Sequence, residues 1–232
     1  MSIRSVTEID NLVPVRVVLA SVFDKSGLEE LVPSLVEHCP DVRIISTGGT
    51  YKALQQILGE EADRYVMPIE MFTGAPETEG GLVKTLSREK SLALLTETYC
   101  AAHQNDLKRE NIKPIDVVVC NLYPFADVVA NPEVTPEMAR GNIDIGGPNM
   151  VREAAKNFLR CASIVDPADY RMLLDELETN EGAMSLAFRL HCMKKAFDHV
   201  ATYNRAIAEY FAKVTPEQVL ACYERVHDIS LD

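Results

Sequence analysis

The sequence predicts an α/β domain: a mostly parallel sheet covered by helices on both faces, three layers in all, with a helical segment at the C-terminal end. Three observations predict it. β-Branched apolar runs alternate with segments whose apolar residues recur at three- and four-residue spacing. The runs are almost continuously apolar, as strands buried on both faces are. Glycine turns follow the first two runs, where each strand hands over to its helix.

The elements follow in order. "VRVVLASV" (15–22) is the first strand, and "FDKSGLEELVPSLVEH" (23–38) the helix after it. "VRIIST" (42–47) leads through a glycine pair into the helix of "GGTYKALQQIL" (48–58). A weaker strand lies around Tyr65–Ile69, and "DVVVCNLYPF" (116–125) holds a third buried strand. "CASIVDPADYRMLLDEL" (161–177) repeats strand and helix. From Ser185 to Phe211 one amphipathic segment runs without proline or glycine, and Thr215–Pro216 starts a last short helix.

Composition narrows the function. The 232 residues suffice for one domain with a sizeable core. A formal net charge of -12 argues against binding nucleic acid with the whole surface and leaves room for a local basic pocket. The cysteines (Cys39, Cys100, Cys120, Cys161, Cys192, Cys222) are scattered with no CxxC, which reads as reduced cytoplasmic thiols rather than a disulfide framework or zinc site. The histidines form no HExxH, and no apolar run approaches a membrane span or signal peptide.

Ligands of open parallel sheets bind beyond the carboxyl ends of the strands. "DKSG" (24–27) stands at such an end. Ser26 and Glu29 have capping-box spacing, while Lys25 beside a helix N-terminus suits an anion. In "STGGT" (46–50), Gly48 and Gly49 either make the turn or let the backbone approach a phosphate. Lys84 and Thr85 follow the glycine pair of a long loop, 71–86, where a lysine is a solvated side chain, an anion ligand or a proton carrier. Asn121 and Tyr123 end the third strand, as a turn and core aromatic or as groups for a heterocycle edge and an oxyanion. "IDIGGPNMVREAAKN" (143–157) places Pro148 near the start of a helix whose polar side carries Asn149, Arg152, Glu153 and Lys156, with Asp144 just ahead of it.

Seven motifs, "STGGT", "VKTL", "NLYPF", "IDIGGP", "REAAKN", "VDPADY" and "KAFDHVATYNRAI", stand in the order and at roughly the spacing of the IMP cyclohydrolase domain of the bifunctional enzyme that joins it to an AICAR transformylase. The chain resembles that domain over about Val17 to Phe211. The resemblance implies a methylglyoxal-synthase-like fold in a single domain over 1–232, with 185–232 helical and the transformylase absent. It implies a cytoplasmic homodimer without metal or organic cofactor, which turns 5-formamidoimidazole-4-carboxamide ribotide (FAICAR) into inosine monophosphate. Lys84, Tyr123, Asp144 and Lys156 match the catalytic set. In this reading Lys156 transfers protons, Lys84 and Tyr123 serve the formyl oxygen, and Asp144 holds or deprotonates the carboxamide. Lys25, Thr47, Gly48, Gly49, Thr50, Thr85, Asn121 and Ile145 match nucleotide-holding positions, and Asp24 and Cys120 are taken with them on the substrate side.

Phe23 stands where the family has serine, Leu82 where it has arginine, and Ser87-Arg88 where it has His-Pro. Arg88 or Lys90 is the expected replacement for the lost positive charge. A catalytically silent nucleotide-binding or regulatory domain on the same fold is the alternative that Phe23 and Leu82 favour. Methylglyoxal synthase ranks last, because it lacks the "IDIGGP...AAKN" block.

Overall fold

A computed structural model describes residues 6–75 and 85–224. The strands are β1 (Leu12–Pro14), β2 (Val17–Ala20), β3 (Arg43–Ser46), β4 (Val66–Pro68), β5 (Val117–Val119), β6 (Ala162–Ile164) and β7 (Ala183–Ser185). Helices α1 (Leu28–His38), α2 (Gly48–Leu58), α3 (Ala62–Tyr65), α4 (Ile69–Thr73), α5 (Arg88–Leu95) and α6 (Ala101–Arg109) precede or separate the middle strands. After β5 come α7 (Phe125–Val129), α8 (Pro136–Gly141) and α9 (Gly146–Lys156). α10 (Tyr170–Thr179), α11 (Leu186–Phe211) and α12 (Pro216–Leu220) follow β6.

These elements form two compact units. The larger takes Met1–Leu122 and Ile145–His199, the smaller Tyr123–Asp144 and Val200–Asp232, so α11 gives its first part to one and its remainder to the other.

In the larger unit five parallel strands stand in the order β4-β3-β2-β5-β6. Their residues are nearly all buried, as sheets with two covered faces require. Alternate residues Val18, Ala20, Ile44, Val117, Val119, Ala162 and Ile164 join one core with Leu31, Leu35, Leu173 and Leu177 of α1 and α10. On the other face, Ser163 Oγ donates to Val151 O of α9, which lies beside α5. The order places β2 at the centre, with β3 on one side and β5 on the other, and the carboxyl-end crevice between such diverging connections is where ligands settle.

The weak strand expected near Tyr65–Ile69 exists as β4, shortened to three residues at the sheet edge. The expected helix over 185–211 is α11. Sequence reading missed the antiparallel pair β1 and β7, in which Leu12 faces Ser185 and Pro14 faces Ala183. Three-residue strands are too short to show alternation. Among the described residues no helix is long and apolar enough to cross a membrane.

Arg189 on α11 fastens that pair to the larger unit. It is wholly buried, and its guanidinium donates to five backbone carbonyls, of Asp10, Asn11, Phe158, Leu159 and Met184.

Candidate active site

The loop after β2 is tied down from three sides. Ser21 N donates to Val119 O at 2.9 Å. Val22 N donates to Thr50 Oγ1 at 3.0 Å, and the same hydroxyl donates back to Val22 O at 3.1 Å. Asn121 Oδ1 accepts from Phe23 N at 2.7 Å and Asp24 N at 2.9 Å, while its Nδ2 donates to Asp24 O at 2.8 Å. Asn121 and Thr50 therefore spend these bonds shaping the loop. Sequence reasoning had aimed both at the ligand and missed this use, because nothing in the motifs tells a loop clamp from a ligand contact.

The capping box expected from Ser26 and Glu29 is not built. Gly27 precedes α1 in the left-handed region at φ 76, with no side-chain cap. The Tyr170 ring would lie 3.0 Å from a Cβ at Gly27, so both the backbone and the space favour glycine. Asp24 Oδ1 instead accepts from Ser26 N at 2.9 Å, and hydrogen bonding from Ser26 holds the Asp24 carboxyl below its ordinary value.

Beside this loop, Thr47 is the N-terminal cap of α2 and pairs its hydroxyl with Ser21 Oγ at 2.8 Å. Gly48 and Gly49 open the helix, and a Cβ at Gly49 would lie 3.9 Å from Lys25 Nζ. Lys25 Nζ also donates to Phe23 O at 3.2 Å. An ammonium thus stands over the leading turn of an eleven-residue helix, where amide N–H groups and the helix dipole both favour an anion. Phe23 itself is half exposed on this edge. Cys120, at the end of β5, is buried, with its N–H donated to Ile164 O at 2.9 Å.

Thr85 and Gly146 meet closely on the face covered by α5 and α9. A Cβ at Gly146 would come within 2.3 Å of Thr85 Oγ1, so any larger residue at this helix start would have to displace that side chain. Ile145, immediately before it, is exposed. Lys84 and Leu82 lie outside the described residues.

The polar side of α9 divides in two. Asn149 Oδ1 and Glu153 Oε2 each accept from Lys90 Nζ at 2.6 Å, and Glu153 Oε1 accepts from Ser91 Oγ at 2.8 Å. Lys90 is completely buried. Arg88 pairs with Glu110 at 3.0 Å, and that partner holds its pKa above the ordinary value. Lys90 is thus committed to a carboxylate inside the fold and does not replace a lost ligand contact, whereas Arg88 pairs with Glu110 at the surface.

Arg152 and Lys156 are exposed. Lys156 is the last residue of α9. The helix starts beside Thr85 at the carboxyl edge and returns to the amino edge, where Arg160 donates to Ile115 O and pairs with Asp116 just ahead of β5. At 1.5 Å per residue, Lys156 lies about 15 Å along the axis from Gly146. The larger unit therefore brings together Asp24, Lys25, Thr47, Gly48, Gly49, Thr50, Cys120 and Asn121, with Thr85 meeting Gly146 beside Ile145. Lys156 stands at the opposite end of α9 from Gly146.

Tyr123 and Asp144 belong to the smaller unit. Tyr123 is exposed, with its carbonyl accepting from Phe125 N at 2.8 Å. Asp144 is partly buried, and its backbone N–H donates to the Tyr203 hydroxyl at 2.7 Å. Tyr203 lies within "KAFDHVATYNRAI", a motif that sequence reasoning used only for recognition.

The model of the MGS-like domain matches residues 27–149. The chain belongs to that family. A second model, that of the AICARFT/IMPCHase bienzyme, matches residues 154–230. The MGS-like chain is 44% identical over 208 residues to the bifunctional purine biosynthesis protein PurH of Lactiplantibacillus plantarum, covering 89% of this chain and 39% of that one. It is 43% identical over 211 residues to the PurH of Listeria monocytogenes, covering 89% and 40%. The chain thus spans about two fifths of the length of these curated relatives. A solved structure titled "Crystal structure of ForH" superposes with a TM-score of 0.72 at 31% identity, over 85% of this chain and 97% of that one.

Proposed function

We propose that this chain is an IMP cyclohydrolase, closing the second purine ring of FAICAR to give inosine monophosphate. The observation that carries the proposal is the anion cradle of Lys25 over the start of α2, set at the carboxyl edge of an MGS-like sheet whose relatives are named as purine biosynthesis proteins. A ribotide brings one phosphate, which suits that cradle.

Both reacting groups reside in one molecule, so the protein needs to orient them, move protons and stabilise charge; it needs no nucleophile of its own. The carboxamide nitrogen attacks the formyl carbon and the formyl oxygen becomes a hydroxyl. Loss of that hydroxyl with a proton from nitrogen releases water and leaves the ring C=N bond. In this reading Asp144 orients the carboxamide and accepts its proton, while Lys84 and Tyr123 serve the oxygen. Lys156, the last residue of α9, is assigned proton transfer. A cytoplasmic homodimer working without metal or organic cofactor completes the reading.

Purified protein is incubated with FAICAR and ring closure followed by absorbance. Turnover above the spontaneous rate is expected, and its absence refutes the proposal. Lys156→Ala is expected to lose most of the activity; full activity removes that lysine from the mechanism and leaves the rest standing.

A further inference from the structure

Residues 123–144 of the smaller unit carry two of the groups assigned to the reaction, Tyr123 at the start and Asp144 at the end. Both ends of this excursion rest on one buried side chain. Tyr203, on α11, is 8% exposed. Its hydroxyl accepts the Asp144 N–H at 2.7 Å. Its ring meets Phe125 edge-on, with centroids 6.3 Å apart at 72°. Phe125, whose N–H donates to Tyr123 O, also meets Tyr210 edge-on at 6.2 Å.

We propose that Tyr203 is a positioning residue for Asp144, its hydroxyl fixing the backbone from which the acid is aimed at the substrate. The inference rests on the cyclohydrolase reading of Asp144 and adds to it. Phenylalanine would fill the same space against Phe125, so packing alone gives no reason for the hydroxyl. Burying a hydroxyl is unfavourable unless it is hydrogen-bonded. Here it accepts the amide of the residue whose carboxylate must be placed. A regular helix such as α11 holds position better than the loop end that bears Asp144, so the hydrogen bond transfers the rigidity of the helix to the acid. Reacting groups need near-attack geometry, and a misplacement of about 1 Å costs roughly 100-fold in rate.

The test compares wild type, Tyr203→Phe, Asp144→Asn and the double variant in the FAICAR assay. Tyr203→Phe is expected to keep the native circular-dichroism spectrum and nearly the wild-type KM while kcat falls about 10- to 100-fold. In the Asp144→Asn background the same change is expected to cost nothing further, because the aimed carboxylate is already gone. Unchanged kcat in Tyr203→Phe overturns the inference, as does an equal loss in both backgrounds, which would mark a general structural effect. Loss of the native spectrum overturns it too, by making the hydroxyl a folding requirement. If wild type itself shows no turnover, the cyclohydrolase reading fails and takes the inference with it. If wild type turns over and Tyr203→Phe matches it, only the inference fails.

Discussion

Replacing Lys90 by methionine separates a structural cation from a ligand contact. Lys90 is wholly buried, and its ammonium is shared by Asn149 Oδ1 and Glu153 Oε2, both at 2.6 Å. Glu153 is itself only 11% exposed at the side chain. Methionine preserves most of the stem volume but leaves a mostly buried carboxylate with Ser91 Oγ in place of a cation, and the Asn149 amide oxygen without this donor. Removing one partner of a buried ion pair costs about 3–5 kcal/mol. At roughly 2–4 °C per kcal/mol for a chain of this length, the Tm should fall by about 6–20 °C. The chain has no tryptophan, so unfolding is followed by far-ultraviolet circular dichroism or calorimetry. The companion variant Lys90→Met with Glu153→Leu removes both charges and is expected to recover at least half of the loss, since an apolar pair of similar volume replaces a buried ion pair at little cost. KM for FAICAR should change far less than Tm. Wild-type stability in Lys90→Met, or a rise in KM with stability intact, refutes this account and returns Lys90 to the ligand.

Gly146→Ala places a methyl group 2.3 Å from Thr85 Oγ1. Such overpacking costs about 1–3 kcal/mol, and adding Thr85→Ala should restore Tm if that contact is the cause; an unaltered Tm in Gly146→Ala shows that the approach is looser. Burial pushes the Cys39 thiol up to about 11 and those of Cys161 and Cys192 up to about 12. A thiol reagent at pH 8 should therefore label the partly exposed Cys100 and Cys222 quickly, and the buried Cys39, Cys120, Cys161 and Cys192 only on unfolding. The three raised thiols stay protonated in the fold where the unfolded chain has lost those protons. Their contribution is therefore complete below the unfolded value of 9.0 and is lost as pH rises toward 11 and then 12. The slope is at most about 1.4 kcal/mol per pH unit for each thiol. The urea midpoint should fall accordingly, and Cys161→Ala with Cys192→Ala should flatten the decline; an identical slope in that variant rejects the cause.

What the sequence made legible follows from which interactions are local. The inner strands and their helices were readable because each is a run of one period, long enough to count. β1 and β7 were not, since neither pairs with a neighbour in sequence and each has only three residues. At the candidate site, the helix start at Gly48 and Gly49 was readable, because the residues that open a helix are written consecutively, and Lys25 does lie beside it. Lys90 was misread, since its partners lie on α9 and a lysine near a loop carries no mark of its burial. Asn121 and Thr50 were expected at the ligand, while their work of holding the Val22–Asp24 loop stayed hidden. That work depends on hydrogen bonds across 97 and 28 residues.

Arg189 bears on how the chain is handled and how it folds. Its acceptors come from three distant stretches: the arm ahead of β1, the turn before β6, and Met184 of β7. No carboxylate hydrogen-bonds to its guanidinium among the described residues, so the carbonyl dipoles carry the solvation of that ion together, and an incomplete ring leaves a cation facing a dry interior. A deletion that trims the sequence through Asn11 removes two acceptors from an ion 178 residues away. Though thin and largely exposed, the arm is thus a closing piece of the larger unit, and a shortened protein should unfold at lower temperature with every core strand still intact.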